Sequence, residues 1–234
     1  MDKKVIIIIG ASGGIGSALA QYFSDAGARL TLSARNIEKL NALKEGLKTD
    51  SIVVQVDATK IEDVRNAFSK TKDAFGHVDA VVISAGTWKQ LRIDATEEEA
   101  LTLANEHYQS IFLPGFVAGS VAQKFFRTQG YGLIVNISSH AAVKPELSGN
   151  LTYGPMKAAS RHFVLALRNE LSETNVRVVD LQPAIVNTPD NKGLDTQEKR
   201  DGAVQPKDIA KWIANNIDNP HIAQEYLFES SVVL

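Results

Sequence analysis

The sequence predicts an α/β fold in which a doubly wound parallel sheet of about seven strands carries helices on both faces. Three observations predict it. Short runs rich in Val and Ile alternate with longer amphipathic stretches along the chain. The apolar runs are mostly unbroken by polar residues, as strands buried on both faces require. The repeated alternation of strand and helix then favours parallel strands joined by right-handed crossovers.

The apolar runs place six strands, predicted at Val5–Ile9, Arg29–Ser33, Ile52–Val56, Ala80–Ser84, Leu133–Ile137 and Val176–Leu181. Helical patterns fill the intervals at roughly 14–26, 37–48, 60–75, 96–128, 152–173 and 206–217. The triplets Asp57-Ala58-Thr59 and Asp94-Ala95-Thr96 offer N-cap residues for two of these helices. Pro114 and Gly115 interrupt the longest pattern, which predicts a kink or a split there.

Size and composition exclude several classes of protein. A chain of 234 residues suits one domain spanning residues 1–234, and a net charge of −2 gives no reason to expect nucleic acid or an anionic membrane as partner. The absence of cysteine excludes disulfides and a cysteine nucleophile, and the scattered histidines predict no metal site. The run Val5–Ile9 is too short to cross a bilayer and is not part of a secretory signal pattern, so the cytoplasm is the expected compartment.

A glycine-rich turn directly follows the first predicted strand and opens the first predicted helix. Its sequence is Gly10-Ala11-Ser12-Gly13-Gly14-Ile15-Gly16. Gly10 permits a sharp turn, Gly14 lets the backbone approach a pyrophosphate, and Gly16 allows close packing of helix and strand. The helix N-terminus presents free N–H groups to phosphates. In this context a dinucleotide site is favoured over glycines that merely shape a turn.

The ends of the second and third strands bear on which dinucleotide is bound. The second strand ends in Ser33-Ala34-Arg35, and Ala34 stands where an NAD-preferring site usually has a carboxylate. The Arg35 guanidinium suits a 2′-phosphate, which favours NADP(H) over NAD(H); a solvated surface arginine is the alternative. Asp57, which precedes Ala58, could accept a hydrogen bond from the adenine amino group, cap the next helix, or do both.

Tyr153 and Lys157 lie one helical turn apart, fourteen residues after Ser139. Side chains at i and i+4 share a helix face, and a nearby ammonium is expected to lower the pKa of a tyrosine toward working pH. Such a tyrosine can protonate the alkoxide that hydride transfer to a carbonyl leaves. Ser139, at the end of the fifth strand, would hydrogen-bond the substrate oxygen as an electrostatic stabiliser. Ser138 competes with it for that role.

Taken in order, these motifs resemble those of the short-chain dehydrogenase/reductase family. The resemblance covers nearly the whole chain and is carried by Gly10-x-x-x-Gly14-x-Gly16, Ser84-Ala85-Gly86, Ser139, Tyr153-x-x-x-Lys157 and Pro183-Ala184-x-x-x-Thr188. It implies a Rossmann-like NAD(P)-binding domain that interconverts a small-molecule carbonyl and an alcohol. The implied catalytic residues are Ser139, Tyr153 and Lys157. The family usually assembles through its fourth and fifth helices, so a homodimer or homotetramer is expected.

The resemblance also implies where a cofactor is held. Backbone groups of Ile185 and Val186, with the Thr188 hydroxyl, could hold the nicotinamide carboxamide, whereas Pro183 could simply end a strand. Lys157 would bond the nicotinamide ribose. The full expected set of cofactor-binding residues is Gly10, Ser12, Gly13, Gly14, Ile15, Gly16, Ser33, Arg35, Asp57, Ala58, Ser84, Ala85, Gly86, Tyr153, Lys157, Pro183, Ile185, Val186 and Thr188.

The chain departs from the family pattern most on the helix after the fourth strand. The family typically has an asparagine there, which completes a proton relay through ordered water to the lysine. Counting forward from Thr96 places His107 at this position, whereas counting back from Gly132 lands near Ile111. Asn105 is a nearby alternative, so the fourth residue is left unassigned. Ile9, Ser84 and Ala184 are milder departures.

The substrate is not predicted by any motif. Its pocket is expected between Ala141–Leu151, Trp88–Ile93 and the polar stretch 188–205, which could be a mobile lid or a plain surface loop. A nucleotide-binding regulator without turnover is the alternative function, and dehydration or epimerisation through the same tyrosine is a third. Retention of the tyrosine–lysine pair favours an enzyme, because a regulator does not need it.

Overall fold

The computed structural model describes residues 1–144 and 151–232. Its strands are β1 (Val5–Ile9), β2 (Arg29–Ala34), β3 (Ser51–Gln55), β4 (Ala80–Ile83), β5 (Gly132–Ile137), β6 (Val176–Pro183) and β7 (Glu225–Phe228). They form one parallel sheet in the order β3-β2-β1-β4-β5-β6-β7. The order reverses direction between β1 and β4, and in such sheets ligands bind at the carboxyl ends of the strands at this point.

The helices that connect the strands are α1 (Gly14–Asp25), α2 (Ile37–Glu45), α3 (Ile61–Phe75), α4 (Glu97–His107), α5 (Leu113–Gln129), α6 (Tyr153–Glu170), α7 (Gln197–Gly202) and α8 (Pro206–Asn216). A π-helical turn spans Tyr108–Phe112 and a 3₁₀ turn spans His140–Ala142. The predicted doubly wound α/β fold is confirmed. Two elements, β7 and α7, add to those that the sequence placed.

The residues of β1 explain why its sequence contains no polar residue. Successive side chains of a strand point to opposite faces of the sheet. Ile6 and Ile8 pack into a core formed with α1 and α8, whereas Ile7 and Ile9 pack into a second core formed with α3, α5 and α6. All of them are at most 2% exposed. Because both faces of the sheet are covered by helices, every position of the strand has to be apolar.

The stretch 96–128, predicted as one interrupted helix, is two helices joined by the π turn Tyr108–Phe112. Thr96 caps α4 in a reciprocal arrangement, in which its hydroxyl accepts from the Glu99 N–H and its own N–H donates to the Glu99 carboxylate. Pro114 lies in the first turn of α5, where a missing N–H has little consequence. The interruption is therefore confirmed, but it begins at Tyr108, before Pro114 and Gly115.

The polar stretch 188–205 folds back onto the end of β6. It contains α7, and Val204 forms an isolated parallel bridge with Val186. Leu194 is fully buried, and Arg200 donates to the Asn187 side chain at 3.1 Å. The sequence left open whether this stretch is a mobile lid or a plain surface loop. In the structure it is held against the residues after β6 by the buried Leu194 side chain, the bridge and the hydrogen bond.

Candidate active site

The glycine turn brings the ends of three strands together. The Gly10 and Ala11 N–H groups donate to the Ser33 carbonyl at 2.8 and 3.1 Å, which ties the turn to β2. Gly10 has φ +92°, and a β-carbon there would stand 2.9 Å from the Ser84 carbonyl carbon, just after β4. A β-carbon on Gly16 would stand 2.3 Å from the Gly10 oxygen. Only glycine fits at these two positions, because the neighbouring backbone leaves no room.

The segment after β6 lies against the same turn. A β-carbon on Gly14 would stand only 2.6 Å from the Thr188 Cβ. Ile185 and Val186 lead into this contact and are half-buried, and the Ile185 carbonyl accepts from the Val204 N–H at 2.8 Å. Pro183 is the last residue of β6 and is buried. The structure thus brings the predicted residues after β6 to the glycine turn.

The groups at this turn fit a phosphate-bearing dinucleotide. The N-cap of α1 is Gly13, which has no side chain, and no acidic residue lies in the first helical turn with Ile15. The positive end of the helix dipole is therefore not neutralised locally, and an anion can take that place. Ser12 and Gly14 are partly exposed beside it. The Ser33 hydroxyl is buried without a partner among the described residues, so it is also free to bond a ligand or a water molecule.

Arg35 and Asp57 lie close enough for the Arg35 charge to influence Asp57. The pKa of Asp57 is lowered, mainly by hydrogen bonds from Thr59 and more weakly by Lys60 and Arg35. The Asp57 carboxylate accepts from the Thr59 hydroxyl at 2.7 Å and the Thr59 N–H at 3.1 Å. The N-cap of α3 is Lys60, so Asp57 orders the turn through the half-buried Ala58 and does not cap the helix itself. The Arg35 side chain is exposed.

The stretch after β4 runs between the glycine turn and Lys157. The Ser84 hydroxyl donates to the Ile9 carbonyl at 3.0 Å, so it links the ends of β4 and β1. Ala85 is half-buried, and Gly86 adopts φ +143°. A β-carbon on Gly86 would lie 3.4 Å from the Lys157 Nζ. Lys157 therefore reaches the edge of the sheet at which the cofactor set collects.

Ser139, and not Ser138, lies beside Tyr153. Tyr153 is the first residue of α6, and a hydrogen bond with the Ser139 side chain acts on its pKa. The Ser139 oxygen also accepts from the Ala141 N–H at 3.2 Å. The Ser138 hydroxyl is buried and donates to the Asp180 carboxylate at 2.5 Å. Of the two serines, Ser139 is the one that reaches Tyr153, since the Ser138 hydroxyl is held inside the sheet by Asp180.

Lys157 is almost completely buried on the same helix as Tyr153. Its Nζ donates to the Ile137 carbonyl at 2.9 Å and lies 5.8 Å from the centre of the Tyr153 ring. Burial lowers the pKa of Lys157 to about 8, and the Asp180 carboxylate opposes this shift. The pKa of Tyr153 is raised by burial, with the Ser139 hydrogen bond opposing. The expectation of a lowered tyrosine pKa is therefore wrong for this structure, because desolvation of the phenolate dominates.

Asp180 was not predicted from the sequence. It is fully buried in β6, where its carboxylate accepts from the Asn136 amide at 2.6 Å and from Ser138. Burial raises the pKa of Asp180, whereas these hydrogen bonds and the Lys157 charge lower it. Asp180 is the single acidic residue of β6, and this was the available signal, since a buried carboxylate needs partners.

His107 is one candidate for the family's asparagine position, which the sequence left unassigned, and it lies beside Tyr153. It is the last residue of α4 and is 1% exposed, whereas Asn105 is exposed. The His107 and Tyr153 rings meet edge to face with centroids 5.7 Å apart, and Nδ1 lies 2.9 Å from the Thr152 hydroxyl. Burial lowers the pKa of His107, so the ring is neutral near pH 7. Of the two candidates, His107 is the one that contacts the tyrosine.

The expected substrate side is only partly described. Residues 145–150, within the predicted pocket stretch Ala141–Leu151, lie outside the described residues. Val143 and Leu151, which flank them, are 38% and 59% exposed, and Trp88 is 58% exposed. Apolar side chains thus reach solvent on both stretches that the sequence assigned to the substrate. No helix among the described residues is long and apolar enough to cross a membrane.

Comparison with known proteins gives a consistent picture. The sequence profile of the short chain dehydrogenase family matches residues 4–199. An uncharacterized oxidoreductase of Staphylococcus epidermidis is 31% identical over 227 residues, covering 94% of this chain and 93% of that protein. A 7α-hydroxysteroid dehydrogenase, solved with NADH and 7-oxo glycochenodeoxycholic acid, superposes with a TM-score of 0.85 at 25% identity, over 98% of this chain and 93% of its own.

An alcohol dehydrogenase of Thermococcus sibiricus, complexed with 5-hydroxy-NADP, superposes with a TM-score of 0.82 at 25% identity, over 98% of this chain and 97% of its own. The seven-stranded parallel sheet and the glycine turn of this chain agree with these similarities. The chain is an oxidoreductase and belongs to the short-chain dehydrogenase/reductase family.

Proposed function

We propose that this enzyme interconverts a carbonyl and an alcohol by hydride transfer with NADP(H), and that Tyr153 is its general acid and base. The observation that carries the proposal is the grouping of Ser139, Tyr153 and Lys157 beside the glycine turn. Tyr153 is hydrogen-bonded to Ser139, and the Lys157 Nζ reaches both the Tyr153 ring and Gly86. A proton donor, an oxygen-binding hydroxyl and a turn suited to phosphate thus lie together at one edge of the sheet.

Each of the three side chains has a distinct role in this proposal. The bound nicotinamide supplies or takes up the hydride. The Ser139 hydroxyl, which is hydrogen-bonded to Tyr153 in the structure, donates to the substrate oxygen when a carbonyl binds and orients it. Because burial raises the pKa of Tyr153, the phenol is protonated at neutral pH and ready to protonate the alkoxide. Lys157 places a positive charge beside the phenolate as it forms.

The proposal is tested by mixing the pure protein with NADPH and a panel of ketones and aldehydes, followed through the absorbance of the reduced cofactor. We expect carbonyl-dependent oxidation of NADPH with one alcohol formed for each cofactor consumed. Tight binding of NADPH without oxidation would favour the regulatory alternative. A changed organic product without net consumption of cofactor would favour dehydration or epimerisation.

We propose that Arg35 gives the preference for NADP(H). Solved structures similar to this chain contain NADH in one case and an NADP analogue in another, so the fold alone does not select. Arg35 is exposed at the end of β2, follows the neutral Ala34, and lies near Asp57. A guanidinium at this place can bond a 2′-phosphate bidentately.

Replacing Arg35 by alanine is expected to weaken NADPH binding by about 1.5–3 kcal/mol, the worth of a hydrogen bond to a charged group, which is a factor of roughly 10 to 100. NADH has no 2′-phosphate, so its binding should stay nearly constant. Titration of cofactor fluorescence measures both affinities. Lys39→Ala, which removes an exposed charge from α2, is the matched control. An equal loss for both cofactors would contradict the assignment.

We propose that the protein forms a homodimer or homotetramer through α5 and α6. Phe116 is 42% exposed and its ring lies 4.8 Å from that of Phe163, and the Phe112 ring stacks on Phe116 at 5.9 Å. On α6, the apolar residues Ala158, Phe163 and Leu167 are partly exposed, whereas Val164 is fully buried in the core. The exposed aromatic surface is therefore centred on Phe116. An exposed aromatic surface of this kind can be buried against a second copy of the chain.

Phe116→Asp is expected to shift the protein to monomers, because the carboxylate would be desolvated in the interface. Sedimentation velocity measures the shift, and Lys124→Asp on the same helix is a control at an exposed site. An unchanged sedimentation coefficient in Phe116→Asp would place the interface elsewhere.

A cytoplasmic location stays a prediction from the sequence.

A further inference from the structure

His107 has a buried ring nitrogen without a hydrogen-bond partner among the described residues. The atom is Nε2, and the residue as a whole is 1% exposed. Buried polar atoms almost always have a partner, which is either a protein group or an ordered water molecule. An enclosed Nε2 without a protein partner therefore indicates a place for a polar guest of the size of water.

The other side of the imidazole is fixed. Nδ1 lies 2.9 Å from the hydroxyl of Thr152, a residue that is 8% exposed and directly precedes Tyr153. The Thr152 side chain does not cap α6, so its hydroxyl is available to His107. The ring meets that of Tyr153 edge to face, with an interplanar angle of 73°. The imidazole is thus held in one orientation against the phenol that the proposed function uses as an acid.

Carbonyl reduction creates a specific need at Tyr153. In each turnover the phenol gives its proton to the product, and the phenolate has to regain one before the next turnover. Because burial disfavours the phenolate, this proton needs a route to the ring. Ser139, Lys157 and His107 are neighbours of Tyr153 that carry exchangeable protons.

These three neighbours differ in how well they can return a proton. The serine hydroxyl does not ionise near neutral pH. The Lys157 ammonium donates to the Ile137 carbonyl at 2.9 Å, and giving up a proton would remove the positive charge that stabilises the phenolate in the proposed function. A neutral imidazole has one donor and one acceptor nitrogen, so it can release a proton from one side and take one up on the other. His107 is the neighbour with a nitrogen still open to a water molecule.

We propose that His107 returns the proton to Tyr153 through one water molecule held at its Nε2. The inference rests on the proposed function, since it requires Tyr153 to act as the proton donor. The Tyr153 O–H bond breaks and the product oxygen gains that proton, while reduced nicotinamide supplies the hydride. The Nε2 proton of the neutral imidazole then passes through the water to the phenolate while Nδ1 takes up the proton of the Thr152 hydroxyl, so no imidazolate forms. The Thr152 hydroxyl regains its proton from solvent, and exchange with solvent returns the ring to its starting tautomer before the next turnover.

The first test uses His107→Phe and His107→Gln. Phenylalanine keeps an aromatic ring against Tyr153 but carries neither ring nitrogen, and glutamine reaches the Nε2 position without being able to exchange protons at neutral pH. In both variants the steady-state kcat should fall by roughly 10-fold or more, with the KM for the carbonyl and the NADPH affinity unchanged. His162→Gln, an exposed position on α6, is the matched control.

Rapid mixing separates a proton-return role from a merely structural one. The first turnover uses the proton already on Tyr153, so the variants should oxidise one equivalent of NADPH per site at the wild-type rate and then slow down. A phenol that is only misplaced would react slowly from the first turnover onward. Wild-type steady-state rates in either variant, or a first turnover as slow as the later ones, would overturn the proposal.

Melting curves show whether each variant is folded. Because the two substituted side chains differ in shape, the test can still be made with one variant if the other does not fold. Failure of the proposed function has a different signature. In that case the wild-type enzyme itself would not oxidise NADPH with any carbonyl, whatever residue stands at position 107.

Discussion

Tyr153→Phe is expected to lower kcat by about 10²- to 10⁴-fold, the usual worth of a positioned general acid or base. The substitution removes one oxygen from a half-buried ring, so the edge-to-face contact with His107 can remain. Ser139 loses its tyrosine partner but keeps the Ala141 N–H. Steady-state kinetics with NADPH and the best carbonyl of the panel measures the loss.

NADPH affinity should fall far less than kcat in Tyr153→Phe, because only one expected cofactor contact is lost and the glycine turn and Arg35 are untouched. Tyr131→Phe is the matched control, since Tyr131 is 42% exposed just before β5, at the opposite end of that strand from Ser139. A variant that retains more than about a tenth of wild-type kcat would show that the proton comes from another group. The regulatory alternative makes the opposite prediction, namely that the variant behaves like the wild type in every assay.

The sequence predicted the fold well because two-sided burial leaves a strong signal. Val5–Ile9 is apolar at every position, and residues 6–9 of β1 pack alternately into the two cores that the helices cover. β7 escaped prediction because Tyr226 and Leu227 are partly exposed at the edge of the sheet, in a strand of only four residues. Short edge strands with mixed exposure carry no clear period.

The candidate site was predicted to a similar extent. Motif spacing placed Ser139, Tyr153 and Lys157, and the structure brings them together. Counting forward from Thr96 and back from Gly132 gave different residues for the family's relay position. The reason is that the π turn at Tyr108–Phe112 adds an irregular helical turn between these two residues. Such turns form through tertiary packing, and they leave no distinct pattern in the sequence.

The direction of the tyrosine pKa could not be predicted either. Spacing along a helix indicates that Lys157 can approach Tyr153, but it does not say how dry the surroundings are. In the structure Lys157 points to the Ile137 carbonyl and is itself 6% exposed. Burial therefore acts on both groups at once, raising the pKa of the phenol and lowering that of the ammonium. Desolvation depends on the whole packed environment, which a local motif does not encode.

Lys157→Met is expected to raise the stability of the protein while it lowers kcat/KM by about 100-fold or more. The pKa of Lys157 falls from 10.5 to about 8, which corresponds to a penalty of about 3 kcal/mol on the charged form in the folded state. Methionine has a similar volume and no charge. Loss of the Ile137 hydrogen bond and of the favourable charge near Asp180 offsets part of the gain. We expect a net increase of about 1–2 kcal/mol in the free energy of unfolding at neutral pH.

The dependence on pH makes this prediction specific to a buried ammonium. Below about pH 8, Lys157 is charged in the folded and unfolded states, and the wild type carries the full penalty. Between about 8 and 10.5 the folded state has released the proton while the unfolded state still binds it, so wild-type stability rises with pH in this window. The advantage of Lys157→Met over the wild type should therefore shrink from about pH 7 to about pH 9.5 in urea denaturation. Lys124→Met, at an exposed position on α5, should show no such change. If the stability difference between Lys157→Met and the wild type stayed constant across the window, burial would not destabilise the charged form of Lys157.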